Sequence, residues 1–118
     1  MIEITQQFVF DAAHCLDAGG PENRRVHGHS FYADVTLRGE VDAKTGMLQD
    51  FGEIKRALAE IAGELDHRML NDVPNLGVPT LENLARFVFE RAKENLSAVV
   101  RVRVRRPSCG QSCVYDGA

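Results

Sequence analysis

The chain has 118 residues, a length that suits one domain. At 44% hydrophobic and 26% charged it reads as an ordinary soluble globular protein. A net charge of −3 argues against nucleic acid or an anionic membrane as partner, and no apolar run approaches the roughly 20 residues that span a bilayer.

The opening Met1-Ile2-Glu3-Ile4-Thr5 lacks the basic and apolar regions of a signal peptide, so a cytoplasmic location is expected. Residues 2 to 14 alternate as a strand does, with Ile2, Ile4, Phe8, Phe10, Ala12 and then His14 on one parity. Asp17 to Asn23 is rich in turn residues and reads as a loop. A second strand is predicted from Val26 to Val41. Phe31, Ala33, Val35 and Leu37 face one way, with His27 and His29 on their parity, while Ser30, Tyr32, Asp34, Thr36 and Arg38 face the other. A turn spans Asp42 to Gly46.

Asp50 with Glu53 resembles a capping box, so a helix is expected from Phe51 to Leu65, with Ile54, Leu58 and Ile61 as its apolar stripe. Asn71 to Pro79 is loop. Thr80 then caps a second helix from about Leu81 to Leu96, burying Leu84, Phe87, Val88 and Ala92. The tail returns to strand, Val100, Val102 and Val104 alternating with Arg101, Arg103 and Arg105. Cys113 to Tyr115 forms a short last strand. The order β-β-α-α-β-β is an α+β pattern with an antiparallel sheet.

Histidine placement carries the first functional expectation. Side chains at i and i+2 of a strand share a face roughly 6 to 7 Å apart, so His27 and His29 can reach one ion. Antiparallel pairing sets His14, at the end of the first strand, beside them. Three neutral imidazoles without a thiolate suit a catalytic zinc ion whose fourth position is left for water or substrate. The alternative is three unrelated histidines, and the shared parity of two strands favours the common ion. A second pair, Asp66 next to His67, is suited to acid/base chemistry if the fold or an oligomer brings it near the metal. Three cysteines make an odd number without framework spacing, so no disulfide scaffold is expected. Cys15 points away from the His14 face and reads as a small core residue, whereas Cys109 and Cys113 have a weak metal-binding or redox spacing.

These pieces together resemble the 6-pyruvoyltetrahydropterin and 6-carboxytetrahydropterin synthase family. The matching segments are Phe10-Asp11-Ala12-Ala13-His14, His27-Gly28-His29-Ser30-Phe31, Thr45-Gly46-Met47 with Asp50-Phe51, Leu65-Asp66-His67 with Leu70-Asn71, and Pro79-Thr80-Leu81-Glu82-Asn83-Leu84-Ala85. They cover nearly the whole chain as a single domain. The length and Asp66-His67 resemble the bacterial, queuosine-pathway branch. The resemblance implies a tunnelling fold (T-fold), with a four-stranded antiparallel sheet and two helices. It further implies a homo-oligomer, trimer or hexamer, whose sheets join into a barrel with active sites between subunits. It implies zinc held by His14, His27 and His29, catalysis aided by Asp66 and His67, and a zinc-dependent lyase acting on dihydroneopterin triphosphate or a related pterin.

Two positions depart from that pattern. The family's cysteine, four residues before His27-Gly28-His29, is Asn23 here, and an amide cannot act as a thiolate base. Adjacent Glu22 is the candidate replacement base. The glutamate that anchors the pterin falls at Pro107, and no acidic residue lies between Leu96 and Tyr115. Thr80 keeps its place and is a candidate ligand contact. Arg24 and Arg25, beside the histidines, are candidates for an anionic substrate. The Arg101, Arg103, Arg105 and Arg106 stripe is read as a solvated or salt-bridged face, or as a wall that binds phosphate or carboxylate. A divergent zinc-dependent paralogue with another substrate, or a non-catalytic zinc- or pterin-binding oligomer, is the alternative function.

Overall fold

The computed structural model describes residues 1–118. Four strands, β1 (Ile2–His14), β2 (His27–Gly39), β3 (Val99–Arg106) and β4 (Gln111–Tyr115), form one antiparallel sheet in the order β1-β2-β3-β4. Between β2 and β3 run two helices, α1 (Phe51–Leu65) and α2 (Leu81–Asn95). This is the predicted order. No helix is long and apolar enough to cross a membrane.

The alternation of β1 and β2 decides which face of the sheet the helices cover. Phe10, Ala12 and His14 of β1 and Phe31, Ala33, Val35 and Leu37 of β2 are buried. Phe10 lies directly opposite Phe31 in the register, and their rings stack at 5.0 Å between centroids. Fully burying such side chains contributes about 1.5–3 kcal/mol each. The helices bring their stripes onto this face, α1 through Ile54, Leu58, Ile61 and Leu65 and α2 through Leu84, Ala85, Phe87 and Val88.

Both helix starts follow the capping rules. The Glu53 N–H donates to Asp50 Oδ2 at 3.3 Å and the Asn83 N–H to Thr80 Oγ1 at 3.1 Å. The structure departs from expectation in β3. A bulge between Thr36 and Leu37 leaves Val100 as the extra residue, so Val99 rather than Val100 turns inward with Val102 and Val104. The polar-face Thr36 is also buried, its hydroxyl 2.8 Å from that of Thr5. β2 is shorter at both ends than predicted, and β4 starts earlier, at Gln111. A one-turn 3-10 segment (Pro107–Cys109) and Gly110, at φ 68°, reverse the chain within four residues of β3.

Candidate metal centre

The β1–β2 register sets His14 opposite His27, and Ala12 opposite His29. All three imidazoles therefore emerge at one end of the helix-covered face. Their ring centroids lie 4.6, 4.9 and 5.1 Å apart. Phe31 forms the floor, edge-on to His14 at 5.9 Å and to His29 at 5.5 Å.

Hydrogen bonds fix which nitrogen two of the three rings present. His14 Nδ1 lies 2.9 Å from the Pro79 carbonyl and His27 Nδ1 2.7 Å from the Arg25 carbonyl. A carbonyl only accepts, so each Nδ1 carries the proton and each Nε2 keeps a free lone pair. The third ring has a different neighbour: Cys109 Sγ is 3.9 Å from His29 Nδ1. The Nε2 atoms of His14 and His29 are buried without a partner. Such orphaned buried nitrogens are rare in a folded core unless something binds them.

The ligand atoms of the three histidines lie within 4.8 Å of one another. Tetrahedral zinc, with Zn–N bonds of about 2.0–2.1 Å, asks for about 3.4 Å, so small ring movements would close the set. Burial, reinforced by the Arg106 charge and the other two imidazoles, holds His29 down at about pKa 4. Burial also lowers His14, against the opposing pull of the Pro79 carbonyl. Both are thus neutral at pH 7, the form that ligates. The donor set, the tautomers and the orphaned Nε2 atoms fit a zinc ion.

A cleft of about 540 Å³ opens beside His27 and His29. Its rim is formed by Glu22, Asn23 and Arg25 from the turn before β2, and by Arg106, Cys109 and Gln111 from the β3–β4 hairpin. Asn23 is occupied as a brace, since its amide donates to the Ala18 carbonyl and its own carbonyl accepts from Leu16 N–H. Arg24 turns away and donates to the Asp17 carbonyl at 3.2 Å. Thr80 is engaged as the α2 cap and lies next to the Pro79 carbonyl that holds His14.

The Asp66–His67 pair sits elsewhere in the chain. Asp66 ends α1, and its Oδ1 accepts from Asp11 N–H at 2.9 Å while His67 N–H donates to the Asp11 carbonyl at 2.7 Å. These bonds fasten the pair to the outer edge of β1. His67 Nδ1 lies 2.8 Å from Asp66 Oδ2, and that contact raises the His67 pKa. The Asp11 N–H, followed by His67, lowers that of Asp66. His67 lines one cleft with Asp11, Gly28, His29 and Ser30 and another with Glu64 and Arg91, but not the one rimmed by Glu22 and Arg106. Within one chain the pair therefore shares a cleft with His29 but stands outside the cleft rimmed by Glu22 and Arg106.

The arginine stripe is largely consumed within the chain. Arg101 pairs with Glu3, Arg103 reaches Ser112, and Arg105 pairs with Asp34 and lies over the Tyr32 ring. Cys15 is half-buried rather than core, and Cys109 and Cys113 are both free thiols. Arg106, Cys109 and the Pro79 carbonyl belong to the site although sequence reasoning did not place them there. A signal existed for the first two. Tyr32 pairs with Arg105, so the antiparallel register carries the following hairpin back beside His29.

Comparisons with known proteins give the family and the fold. Residues 3–118 match the model of the family described as 6-pyruvoyl tetrahydropterin synthase. A dihydroneopterin monophosphate aldolase from Pyrococcus furiosus is 37% identical, over 80% of this chain and 77% of that protein. A 6-carboxy-5,6,7,8-tetrahydropterin synthase from Synechocystis is 36% identical, over 77% of this chain and 74% of that one. The solved 6-pyruvoyl tetrahydropterin synthase of Caenorhabditis elegans superposes with a TM-score of 0.86 at 28% identity, covering 99% of this chain and 96% of that chain.

Proposed function

The chain belongs to the 6-pyruvoyl tetrahydropterin synthase family, and we propose that it is a zinc-dependent lyase of the 6-carboxytetrahydropterin synthase type, acting on dihydroneopterin triphosphate or a related phosphorylated pterin. The observation that carries this is the convergence of His14, His27 and His29, with two buried Nε2 atoms that have no partner. Zinc bound there would supply Lewis-acid polarisation of a substrate oxygen.

The protein's own groups would do the rest. Glu22 is on the rim of the metal cleft and is our candidate base, in place of the thiol that Asn23 does not provide. Asp66 orients His67 and holds its proton, and we assign that pair to the cleft of an adjoining copy. The outer edge of β4, and that of β1 before Asp11, has no strand partner in the sheet. Joining those edges would assemble a trimer or hexamer and bring a second chain to each metal cleft. Thr80 and Arg25 are the proposed substrate contacts. Arg24 has a weaker claim because a loop carbonyl holds it.

An aldolase reading is supported by the 37% identity to the Pyrococcus furiosus enzyme and by the Glu22 carboxylate, which shares the cleft rim with Arg25 and the Cys109 thiol. One assay separates the two. Zinc-loaded protein is incubated with dihydroneopterin triphosphate and, separately, with dihydroneopterin monophosphate. Released triphosphate with a 6-carboxyl pterin supports the synthase, and carbon–carbon cleavage of the monophosphate supports the aldolase. No turnover of either, with zinc retained, would overturn both in favour of a binding oligomer without catalysis.

A further inference from the structure

Of the four β3 arginines, three have partners on the polar face: Arg101 with Glu3, Arg103 with Ser112 and Arg105 with Asp34. Arg106 makes no such contact. It sits at the last position of β3, on the rim of the metal cleft, and its Nε is buried without a hydrogen-bond partner. On the same rim, the Arg25 guanidinium is likewise unpaired, and Glu22 forms an ion pair with neither.

A buried guanidinium N–H without a partner is a costly arrangement for a protein to keep. A guanidinium has five donors and no acceptor, and its fork matches a carboxylate or phosphate. It cannot hydrogen-bond the N–H edge of a heterocycle. With Arg25 as a second cation on the same rim, this wall of the cleft recognises negative charge.

We infer that Arg106, assisted by Arg25, is the specificity-determining clamp for an oxyanion, phosphate or carboxylate, that the substrate carries close to the metal. This deepens the functional reading above and rests on its placement of the substrate in the metal cleft. It also gives Pro107 a role, because a proline at the first position of the following turn fixes the backbone that aims Arg106 into the cleft.

The test follows the Arg106 Nε–H resonance of the isotope-labelled, zinc-loaded full chain during titration with inorganic phosphate and, separately, acetate. A saturable shift is expected. Arg106→Gln should weaken anion binding about tenfold or more, as followed on His29 resonances, while zinc content is unchanged. Arg106→Lys keeps the charge without the fork and should lie between the two. It carries the test if Arg106→Gln does not fold. Tighter phosphate assigns a phosphate ester, and tighter acetate assigns a carboxylate. An unresponsive Nε–H, equal affinity in all three proteins, or loss of zinc from a folded Arg106→Gln would overturn the clamp. If the wild type takes up no zinc, the metal reading fails, and the same titration of the metal-free chain decides the clamp independently.

Discussion

Removing His29 is the perturbation that most directly tests the metal centre. It takes one of three imidazoles from a site whose other two are held by Pro79 and Arg25 carbonyls. A ligand that binds only the folded state stabilises it by about 4.1 kcal/mol when present at roughly a thousand times its Kd. Unfolding entropy of about 2.1 cal/mol/K per residue, over 118 residues, is about 0.25 kcal/mol/K. The ratio predicts that zinc raises the Tm of the wild type by about 16 °C. His29→Ala should lose most of that rise and should not retain one zinc per chain after dialysis. Differential scanning fluorimetry with metal analysis reads both. A variant that keeps stoichiometric zinc and the full Tm rise would refute the ligand assignment. Acidity provides a second arm. His29 is held near pKa 4 against an ordinary 6.5, so in the metal-free chain the unfolded state takes up its proton first as pH falls. The His29 contribution to stability is complete above pH 6.5 and is lost as pH drops from there towards 4.

Glu22→Gln should lower kcat about a hundredfold or more if Glu22 is the base, and unchanged turnover in a steady-state assay would remove it from that role. The His67 pKa is raised by Asp66, so the limb of the pH–rate profile that reports His67 should lie above pH 6.5, with Asp66→Asn moving it back down. A limb unaffected by that change would separate the pair from catalysis. Thr80→Ala removes a helix cap and should lower stability by about 1 kcal/mol, measured by urea denaturation. It should also weaken zinc binding, because the Pro79 carbonyl that holds His14 sits one residue away. Phe31→Ala should cost about 3–5 kcal/mol and loosen the two imidazoles that rest on that ring, so a folded variant with undiminished zinc affinity would contradict the role of Phe31 as floor.

Much of this was legible because the informative interactions have strand or helix periodicity. The two-residue period of β1 and β2 sets His14, His27 and His29 on one face by parity alone. The caps at Asp50 and Thr80 located both helices. What escaped depended on register between distant segments. The bulge at Thr36–Leu37 exchanged Val99 for Val100, and local alternation carries no trace of it. Arg106 and Cys109 entered the site because the β3 register and the left-handed Gly110 swing the hairpin towards His29. Asp66 and His67 looked isolated in the sequence, but backbone bonds to Asp11 seat them on the edge of β1. Arg24 and Arg25 are neighbours in sequence with opposite fates, one tied to a carbonyl and one facing the cleft, which the one-turn helix between Pro21 and Arg24 decides.

The neighbours at the three Nδ1 atoms come from separate parts of the molecule: the residue before the α2 cap, the turn before β2, and the β3–β4 hairpin. His14 and Pro79 are 65 residues apart, and His29 and Cys109 are 80 apart. A fragment ending before α2 would therefore contain every histidine ligand and still lack an aligned set. Metal capture at these histidines would then report completed tertiary structure, unlike a zinc finger, where the ion organises an otherwise unfolded segment. Nascent chain still in synthesis would compete poorly for zinc, and the ion would enter a centre already shaped to receive it.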